Sequence, residues 1–399
     1  MRLKSFFSFS AIITILIVTV FILTACGAPA PAPAPAPKAP AAPADPQAPK
    51  AQAVPGKKIA PVIGKEIDTS HPLADDFGPL KIDMPGFMTY SGTSAPTSIY
   101  TFYSNPILNA LAEAFPQMAV RHLPGGTKTN MVRVIEGTAQ FGIGNLTEAA
   151  AATYPWRDDY PEPQDVGILF SSPTPYHNAA PIVLPGSPIK SMKDIKGKRI
   201  TPIYAGATTY RVLVPGLLAH YGWTYADVDP RPASGNWKED CFNKLFNDET
   251  DILFFSMPVP DPFVKAKELV RELVLLDITD EEMAGSLANS AGYFHYVMPK
   301  DALKCVNQDK PQNAWGVIFN IWARNDLPEE VVYNMTWAAF RDDGKALNES
   351  HPALAEIDFA KAMSEPTSIG APVHAGASKY WESKGVTIPP VLPTPAVWK

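Results

Sequence analysis

The sequence predicts an α/β protein of two lobes, each a mainly parallel sheet flanked by helices. Predicted strands and helices alternate along the chain from about residue 80, which is typical of parallel sheets. The loops that join each predicted strand to its helix are rich in glycine and hydroxyl residues. Because about 310 residues remain between the low-complexity ends, the chain has room for two lobes rather than one.

The first predicted block contains three strand–loop–helix units. Asn105 and Pro106 suit the cap and first turn of the first helix, and Gly137 suits the end of the second. The predicted ranges are 87–90 (strand), 91–97 (loop) and 105–115 (helix); then 118–123, 124–127 and 130–136; then 140–143, 144–147 and 148–153.

A second block begins at Ser187 and follows the same order. We expect Pro215 and Gly216 to bend or delay its first helix. Further along, Asp326 and Glu329 have the spacing of a capping box, which predicts a helix through Phe340. The predicted ranges are 188–200 (helical turn into a strand), 204–209 (loop), 212–218 (helix), 251–255 (strand) and 262–273 (helix).

These blocks give the expected domain organisation. Residues 80–185 and 290–386 form lobe I, and residues 186–289 form lobe II. Residues 387–399 are a proline-rich tail that we expect on the surface.

The N-terminus has the pattern of an export signal. Arg2 and Lys4 precede an uncharged, largely apolar run over residues 5–25. The run ends in Leu23-Thr24-Ala25-Cys26, which resembles a bacterial lipobox and implies lipidation of Cys26. An uncleaved transmembrane anchor is the alternative. Either reading predicts an extracytoplasmic protein, in the periplasm or on the outer face of the cytoplasmic membrane, and the lipobox predicts a lipid anchor.

Residues 26–79 read as a tether that follows the signal peptide of residues 1–25. From 27 to 60 the composition is dominated by alanine and proline, which favours extended conformations and cannot form a core. At about 3 Å per residue, such a segment spans at most on the order of 100 Å.

Charge and motif content exclude several classes of function. The chain has 34 basic and 40 acidic residues, and without Arg2 and Lys4 the balance is 32 − 40 = −8, which does not favour a nucleic-acid binder. The seven histidines lack metal-ligand spacing, so we expect no metal site. Neither a nucleophile elbow, a phosphate-binding loop nor a dinucleotide fingerprint is present, so we expect neither an enzyme nor a cofactor. Cys241 and Cys305 could form a disulfide or remain separate buried thiols.

Several segments resemble the TAXI group, the solute receptors of tripartite ATP-independent periplasmic (TRAP) transporters. Residues 125–130, Gly-Gly-Thr-Lys-Thr-Asn, resemble the family's Gly-Gly-Ser-x-x-Asn stretch, and residues 205–211 resemble its Gly-Ser-Gly-Thr-Arg loop. Residues 374–382, His-Ala-Gly-Ala-Ser-Lys-Tyr-Trp-Glu, give the strongest match, to a C-terminal signature. Ala375 stands where the family usually has proline, and the loop at 91–100 has fewer glycines than usual.

The resemblance implies a two-lobed fold of the type II periplasmic-binding-protein style, with a hinge between the lobes. It implies a monomeric receptor that captures a small organic anion, either an amino acid or a carboxylate, and delivers it to a TRAP membrane permease. The alternative is a ligand-sensing lipoprotein that presents the bound solute to a membrane signalling kinase.

The candidate ligand-binding residues lie in or beside the predicted strand–helix loops. In open parallel sheets these loops meet at the ligand crevice, where helix N-termini attract carboxylates. Each hydroxyl or amide could instead be an ordinary helix cap, Arg211 a surface ion pair, and each aromatic part of the core. We expect a structural hydrogen bond for His374. The candidates are Thr93, Thr97, Thr127, Thr208 and Thr209 (hydroxyls); Asn130, Asn145 and Thr147 (polar contacts); Arg211 (a bidentate carboxylate partner); and Tyr100, Tyr210 and Phe255 (cleft walls).

Overall fold

The structure is a computed structural model that describes residues 78–93, 98–154, 159–290, 292–303, 308–365 and 370–391. The predicted signal peptide, Cys26 and nearly all of the tether lie outside these ranges, as does most of the C-terminal tail, so those predictions stay open. Within the described ranges, every helix is too short or too polar to cross a membrane.

The first block forms three parallel strands. Strand β1 lies between β2 and β3, and a helix follows each strand, so the predicted alternation is confirmed. The elements are β1 (Phe87–Gly92), α1 (Ile99–Ala114), β2 (Ala119–Pro124), α2 (Thr127–Ile135), β3 (Phe141–Asn145) and α3 (Leu146–Thr153).

A second parallel group has β5 between β6 and β7. Strand β7 is buried throughout, and its side chains alternate between two apolar clusters: Phe254 belongs to one cluster, and Leu253 and Phe255 to the other. The strands and helices are β5 (Arg199–Thr201), α4 (Val214–His220), β6 (Asp229–Pro230), α5 (Trp237–Phe246), β7 (Ile252–Pro258) and α6 (Pro262–Val270).

Two long antiparallel strands join the parallel groups. Strand β4 (Val166–Val183) pairs first with β10 (Gln312–Arg324) and then with β7. Strand β10 pairs with β3 along its second half and with β9 (Tyr293–Met298) along its first. The sheet order is β2-β1-β3-β10-β4-β7-β5-β6, with β8 (Val274–Leu275) beside β4. The middle of the sheet is therefore antiparallel, whereas the sequence predicted mainly parallel pairing.

The remaining helices are α7 (Asp280–Ala288), α8 (Glu329–Phe340), α9 (Lys345–Ser350), α10 (Phe359–Ser364) and α11 (Ala375–Ser383). Helix α11 packs so closely on α8 at Gly376 that a Cβ atom there would lie 2.0 Å from the Glu329 carbonyl oxygen.

Several predicted helix starts are wrong, including that of α2, which begins at Thr127 rather than at Asn130. Helix α1 begins at Ile99 behind the cap Ser98, and Pro106 lies inside it. Helix α8 begins behind Pro328, and Asp326 does not cap it because its carboxylate is bonded to Arg324. The second-block helix is continuous rather than interrupted, since a π-helical turn at Thr209–Leu213 leads into α4, whose first turn holds Pro215. Proline has no N–H to donate to the preceding turn, and the Tyr210 carbonyl there accepts from the Tyr225 hydroxyl at 2.6 Å instead.

Candidate ligand cavity

A cavity of about 1120 Å³ opens where the carboxyl ends of both parallel groups meet. The ends of β1, β2 and β3 contribute from one side, and the loops after β5 and β6 and the end of β7 from the other. The long strands β4 and β10 add Tyr176, Asn178 and Phe319. This is the position at which open parallel sheets bind ligands.

Two helices begin at the cavity without a side-chain cap. Gly126, which has no side chain, precedes α2, and Asn236, whose side chain accepts no hydrogen bond from the helix, precedes α5. By contrast, Ser98 and Asn145 cap α1 and α3. Because the first backbone N–H groups of an α-helix have no partner within the helix, α2 and α5 can offer these donors and a partial positive charge to an anion.

A bonded group of polar side chains forms one wall. The Thr209 Oγ1 donates to Asn178 Oδ1 at 2.6 Å, and the Ser256 hydroxyl donates to the same oxygen. The Thr209 and Ser256 hydroxyl oxygens lie 2.8 Å apart. These three residues come from β7, from β4 and from the π-helical turn, so the wall ties together separate parts of the fold.

Aromatic side chains form much of the remaining wall. The rings of Tyr204 and Trp237 lie 5.9 Å apart, and Tyr100 meets Phe319 edge-on at 5.4 Å. Burial raises the pKa of Tyr204 and that of Tyr176, so both hydroxyls stay protonated at neutral pH. The aromatic residues of the lining are Tyr100, Tyr176, Tyr204, Trp237, Phe263 and Phe319.

The charged groups of the lining all have partners of opposite charge. Lys238 Nζ lies 3.6 Å from Asp261 Oδ2 and 5.4 Å from the centre of the Phe263 ring. Burial lowers the pKa of Lys238, and Asp261 partly offsets this. Lys128 is paired with Asp159, and Glu239 with Lys267.

The structure brings six of the predicted ligand-binding residues to the cavity. Two of them form a bond across it, since Asn145 Nδ2 donates to Thr208 Oγ1 at 3.2 Å. Two others, Tyr100 and Thr127, are hydrogen-bonded to each other through their hydroxyls. Thr97 lies outside the described residues. The six are Thr93, Tyr100, Thr127, Asn145, Thr208 and Thr209.

Asn130, Thr147 and Phe255 do not line the cavity. Asn130 is fully buried, and its amide joins β1 to β3 by accepting from Ser91 Oγ and donating to the Ile143 carbonyl, both at 2.9 Å. Thr147 is fully buried against Gly292. Phe255 packs between the rings of Trp237 and Phe242. These contacts give each residue a structural role, and a role in ligand binding stays a prediction.

Arg211 does not line the cavity either. Its guanidinium is paired with Asp159 and lies 3.8 Å from Glu148, which is fully buried and accepts a hydrogen bond from Tyr160. The protein's own carboxylates therefore contact the Arg211 guanidinium, which was expected from the sequence to bind a ligand carboxylate. Tyr210 also turns away from the cavity and stacks on Tyr225 at 4.8 Å.

Sequence reasoning missed Tyr176, Asn178, Tyr204, Trp237, Lys238 and Ser256. A weak signal existed for Tyr204 and Ser256, because each follows or ends a predicted strand. Asn178 and Tyr176 lie inside a long strand that the sequence did not predict, and no local pattern indicates them.

The expected structural role of His374 is observed. Its Nδ1 accepts from the Gly376 N–H at 3.1 Å and caps α11. Among the described residues, no cluster of histidine, cysteine and acidic side chains could hold a metal ion. Cys241 is buried, and Cys305 lies outside the described residues.

A model of the NMT1-like family matches residues 92–385. The chain belongs to the NMT1-like family. The match spans every segment that lines the cavity.

Several solved structures are similar to this NMT1-like chain. They include the periplasmic aliphatic sulphonate binding protein SsuA from Escherichia coli (14% identity, 79% of this chain and 88% of that one, TM-score 0.40). The alkanesulfonate-binding protein SsuA from Xanthomonas axonopodis pv. citri matches with 16% identity over 79% of this chain and 83% of that one (TM-score 0.41). A structure from a study of glutathione import through GshT and the cystine importer TcyBC of Streptococcus mutans matches with 16% identity over 70% and 97% (TM-score 0.42).

Proposed function

We propose that the protein is an extracytoplasmic receptor that captures a small organic anion, a carboxylate or an amino acid, and delivers it to a TRAP-type permease. One observation carries the proposal: a large cavity at the carboxyl ends of two parallel strand groups, onto which two helices open without side-chain caps. Such a site can bind a carboxylate through neutral N–H and O–H donors. Binding rather than catalysis is the expected activity.

The sheet topology supports a hinge between two lobes. We assign residues 80–185 and 290–386 to one lobe and residues 186–289 to the other. Strands β4 and β10 then both belong to the first lobe, and the second half of β4 pairs with β7 of the second lobe beside the cavity. Closure of such lobes is favoured only as far as the ligand binds the closed form more tightly than the open one.

The choice of a TRAP permease as partner rests on the resemblance to TAXI receptors at residues 125–130, 205–211 and 374–382. The lipobox at Cys26 and the Ala/Pro-rich segment after it complete the proposal. A lipid anchor would keep the receptor near its permease at high local concentration, and a long tether would let the lobes dock and release.

The binding step is tested by a thermal-shift screen of the mature protein in detergent against small acids and neutral compounds. A ligand at 100 times its dissociation constant adds about 2.7 kcal/mol of stability. We expect carboxylates to raise the melting temperature. Stabilisation by neutral compounds alone would contradict the use of helix N-termini to bind an anion.

The delivery step requires reconstitution with a permease in liposomes. Uptake of the labelled acid that depends on the receptor supports transport. Ligand-dependent activity of a membrane kinase, without uptake, would instead favour a sensing lipoprotein.

A further inference from the structure

Asn178 presents hydrogen-bond donors to the cavity in a fixed orientation. Its side chain is more than nine-tenths buried, and its Oδ1 accepts from both Thr209 and Ser256. Because the amide oxygen is already used by these two bonds, the amide nitrogen is the part of the Asn178 side chain that can donate to a ligand in the cavity. In the described part of the chain, no group accepts a hydrogen bond from this nitrogen. Because this nitrogen faces the cavity, a ligand acceptor at this point can replace water as its hydrogen-bond partner.

Two tyrosine hydroxyls extend this donor surface. Tyr176 and Tyr204 line the same cavity, and burial keeps both protonated by raising their pKa. Among the described residues, neither hydroxyl has a hydrogen-bond partner. Tyr176 and Asn178 lie on β4, and Tyr204 follows β5, so the donors come from two separate segments of the chain.

Carboxylates that could pair with a ligand ammonium group are scarce by comparison. Within the described lining, Glu239 is the only carboxylate, and Lys267 Nζ lies 2.5 Å from it. Nearby, Asp261 accepts from the backbone N–H of Phe263 at 2.7 Å and is paired with Lys238. A ligand ammonium buried in this cavity would compete with two lysines for these carboxylates.

We propose that Asn178 is a specificity-determining residue that selects organic anions with an oxyanion and no ammonium group. The aromatic wall of Tyr204, Trp237 and Phe263 adds a preference for a planar apolar body. The inference rests on the proposed function and narrows its ligand from amino acids and carboxylates together to carboxylates, in particular aryl-substituted ones.

The first test compares 3-phenylpropanoate with L-phenylalanine, which differ only by the α-ammonium group. Dissociation constants are measured by calorimetry on the mature protein in detergent at pH 8. We expect 3-phenylpropanoate to bind at least about tenfold more tightly, because the unpaired ammonium of phenylalanine would lose its hydration. Equal or tighter binding of phenylalanine overturns the proposal.

The second test changes Asn178 itself. In Asn178→Asp one carboxylate oxygen can still accept from Thr209 and Ser256, but the other replaces the donors with a negative charge. We expect this variant to bind 3-phenylpropanoate about 100-fold more weakly, through a lost hydrogen bond and like-charge repulsion. Asn109→Asp is the matched control, since Asn109 is exposed on α1 away from this cavity, and it should bind like the wild type.

Asn178→Leu and Ser256→Ala guard against misfolding of the aspartate variant. The first removes the donors without adding charge, and the second removes one of the bonds that orient the amide. Both should weaken binding, Ser256→Ala by less. Unchanged affinity in a folded Asn178→Asp or Asn178→Leu variant overturns the role of Asn178.

The outcomes separate this inference from the proposed function. Binding of L-phenylalanine or L-glutamate in preference to any aryl acid overturns the selectivity but leaves an anion receptor. Absence of binding by every acid overturns both.

Discussion

Asn145 and Thr208 are hydrogen-bonded to each other across the cavity, with Asn145 Nδ2 3.2 Å from Thr208 Oγ1. Asn145 ends β3 in the first parallel group, and Thr208 follows β5 in the second. The Arg211 ion pair with Asp159 joins the same two regions. The two strand groups are therefore joined directly beside the cavity, as the proposed receptor would require in its closed form.

Replacing Thr208 with valine should weaken ligand binding. The change keeps the side-chain shape and removes the bond to Asn145, so the closed arrangement loses about 0.5–1.5 kcal/mol, and the dissociation constant should rise by up to about tenfold. Calorimetric titration with the tightest-binding acid of the screen measures the change. Thr138→Val is a matched control, because Thr138 Oγ1 donates a hydrogen bond of 3.2 Å to the Arg133 carbonyl oxygen and both residues belong to the first strand–helix block. Equal affinities for the two variants would argue against a closing role.

Replacing Arg211 with methionine should destabilise the fold more than it affects binding. Glu148 is fully buried and would lose the Arg211 guanidinium, while Asp159, which is half-buried, would keep only its pair with Lys128 among the ion pairs described above. Loss of one partner from a buried ion pair costs about 3–5 kcal/mol. Urea denaturation measures the free energy of unfolding, and Arg211→Lys should recover part of it. A large loss of affinity with unchanged stability would instead support the sequence-based prediction that Arg211 binds the ligand carboxylate.

The first strand–loop–helix units could be predicted because their signals are local. Apolar runs of strand length are followed by small residues and then by helical periodicity, and β1, β2 and β3 follow in the predicted order. Strand β4 could not be predicted in this way. It contains Pro173, Pro175 and Pro181, which remove ladder donors and hide the strand pattern, and its register shifts after His177.

In the candidate site too, only the residues with a local sequence signal could be predicted. Loop residues such as Thr127 and Thr208 could be selected because strand ends meet at one edge of a parallel sheet. Asn178 gives no such signal, since its importance depends on Thr209 and Ser256, which are distant in sequence. The opposite error occurred at Arg211, because the sequence does not show that Asp159 and Glu148 would surround it.

Replacing Gly376 with alanine should be strongly destabilising. The added Cβ would lie 2.0 Å from the Glu329 carbonyl oxygen and 2.8 Å from the Tyr333 nitrogen, both backbone atoms that move only with helix α8. Overpacking of this kind costs about 1–3 kcal/mol or more. Thermal denaturation should show a clear fall in the melting temperature. Gly86→Ala serves as the control, because its Cβ would meet nothing within 4 Å, and a similar loss in both variants would contradict the close-packing explanation.

His177 should make the stability of the protein fall in weak acid. Burial lowers the pKa of this fully buried histidine to about 3, whereas in the unfolded chain it binds a proton near its ordinary pKa of about 6.5. Between these two pKa values the unfolded state binds more protons than the folded state. The contribution of His177 to the free energy of unfolding is therefore fully present above about pH 6.5, and the free energy of unfolding falls by about 1.4 kcal/mol per pH unit below it. His177→Phe keeps a ring beside Trp315, 5.9 Å away in the wild type, and removes the titration. In urea denaturation at pH 7.5 and 5.5, the wild type should lose about 1.4 kcal/mol more than this variant. Equal losses would mean that His177 titrates alike in the folded and unfolded states.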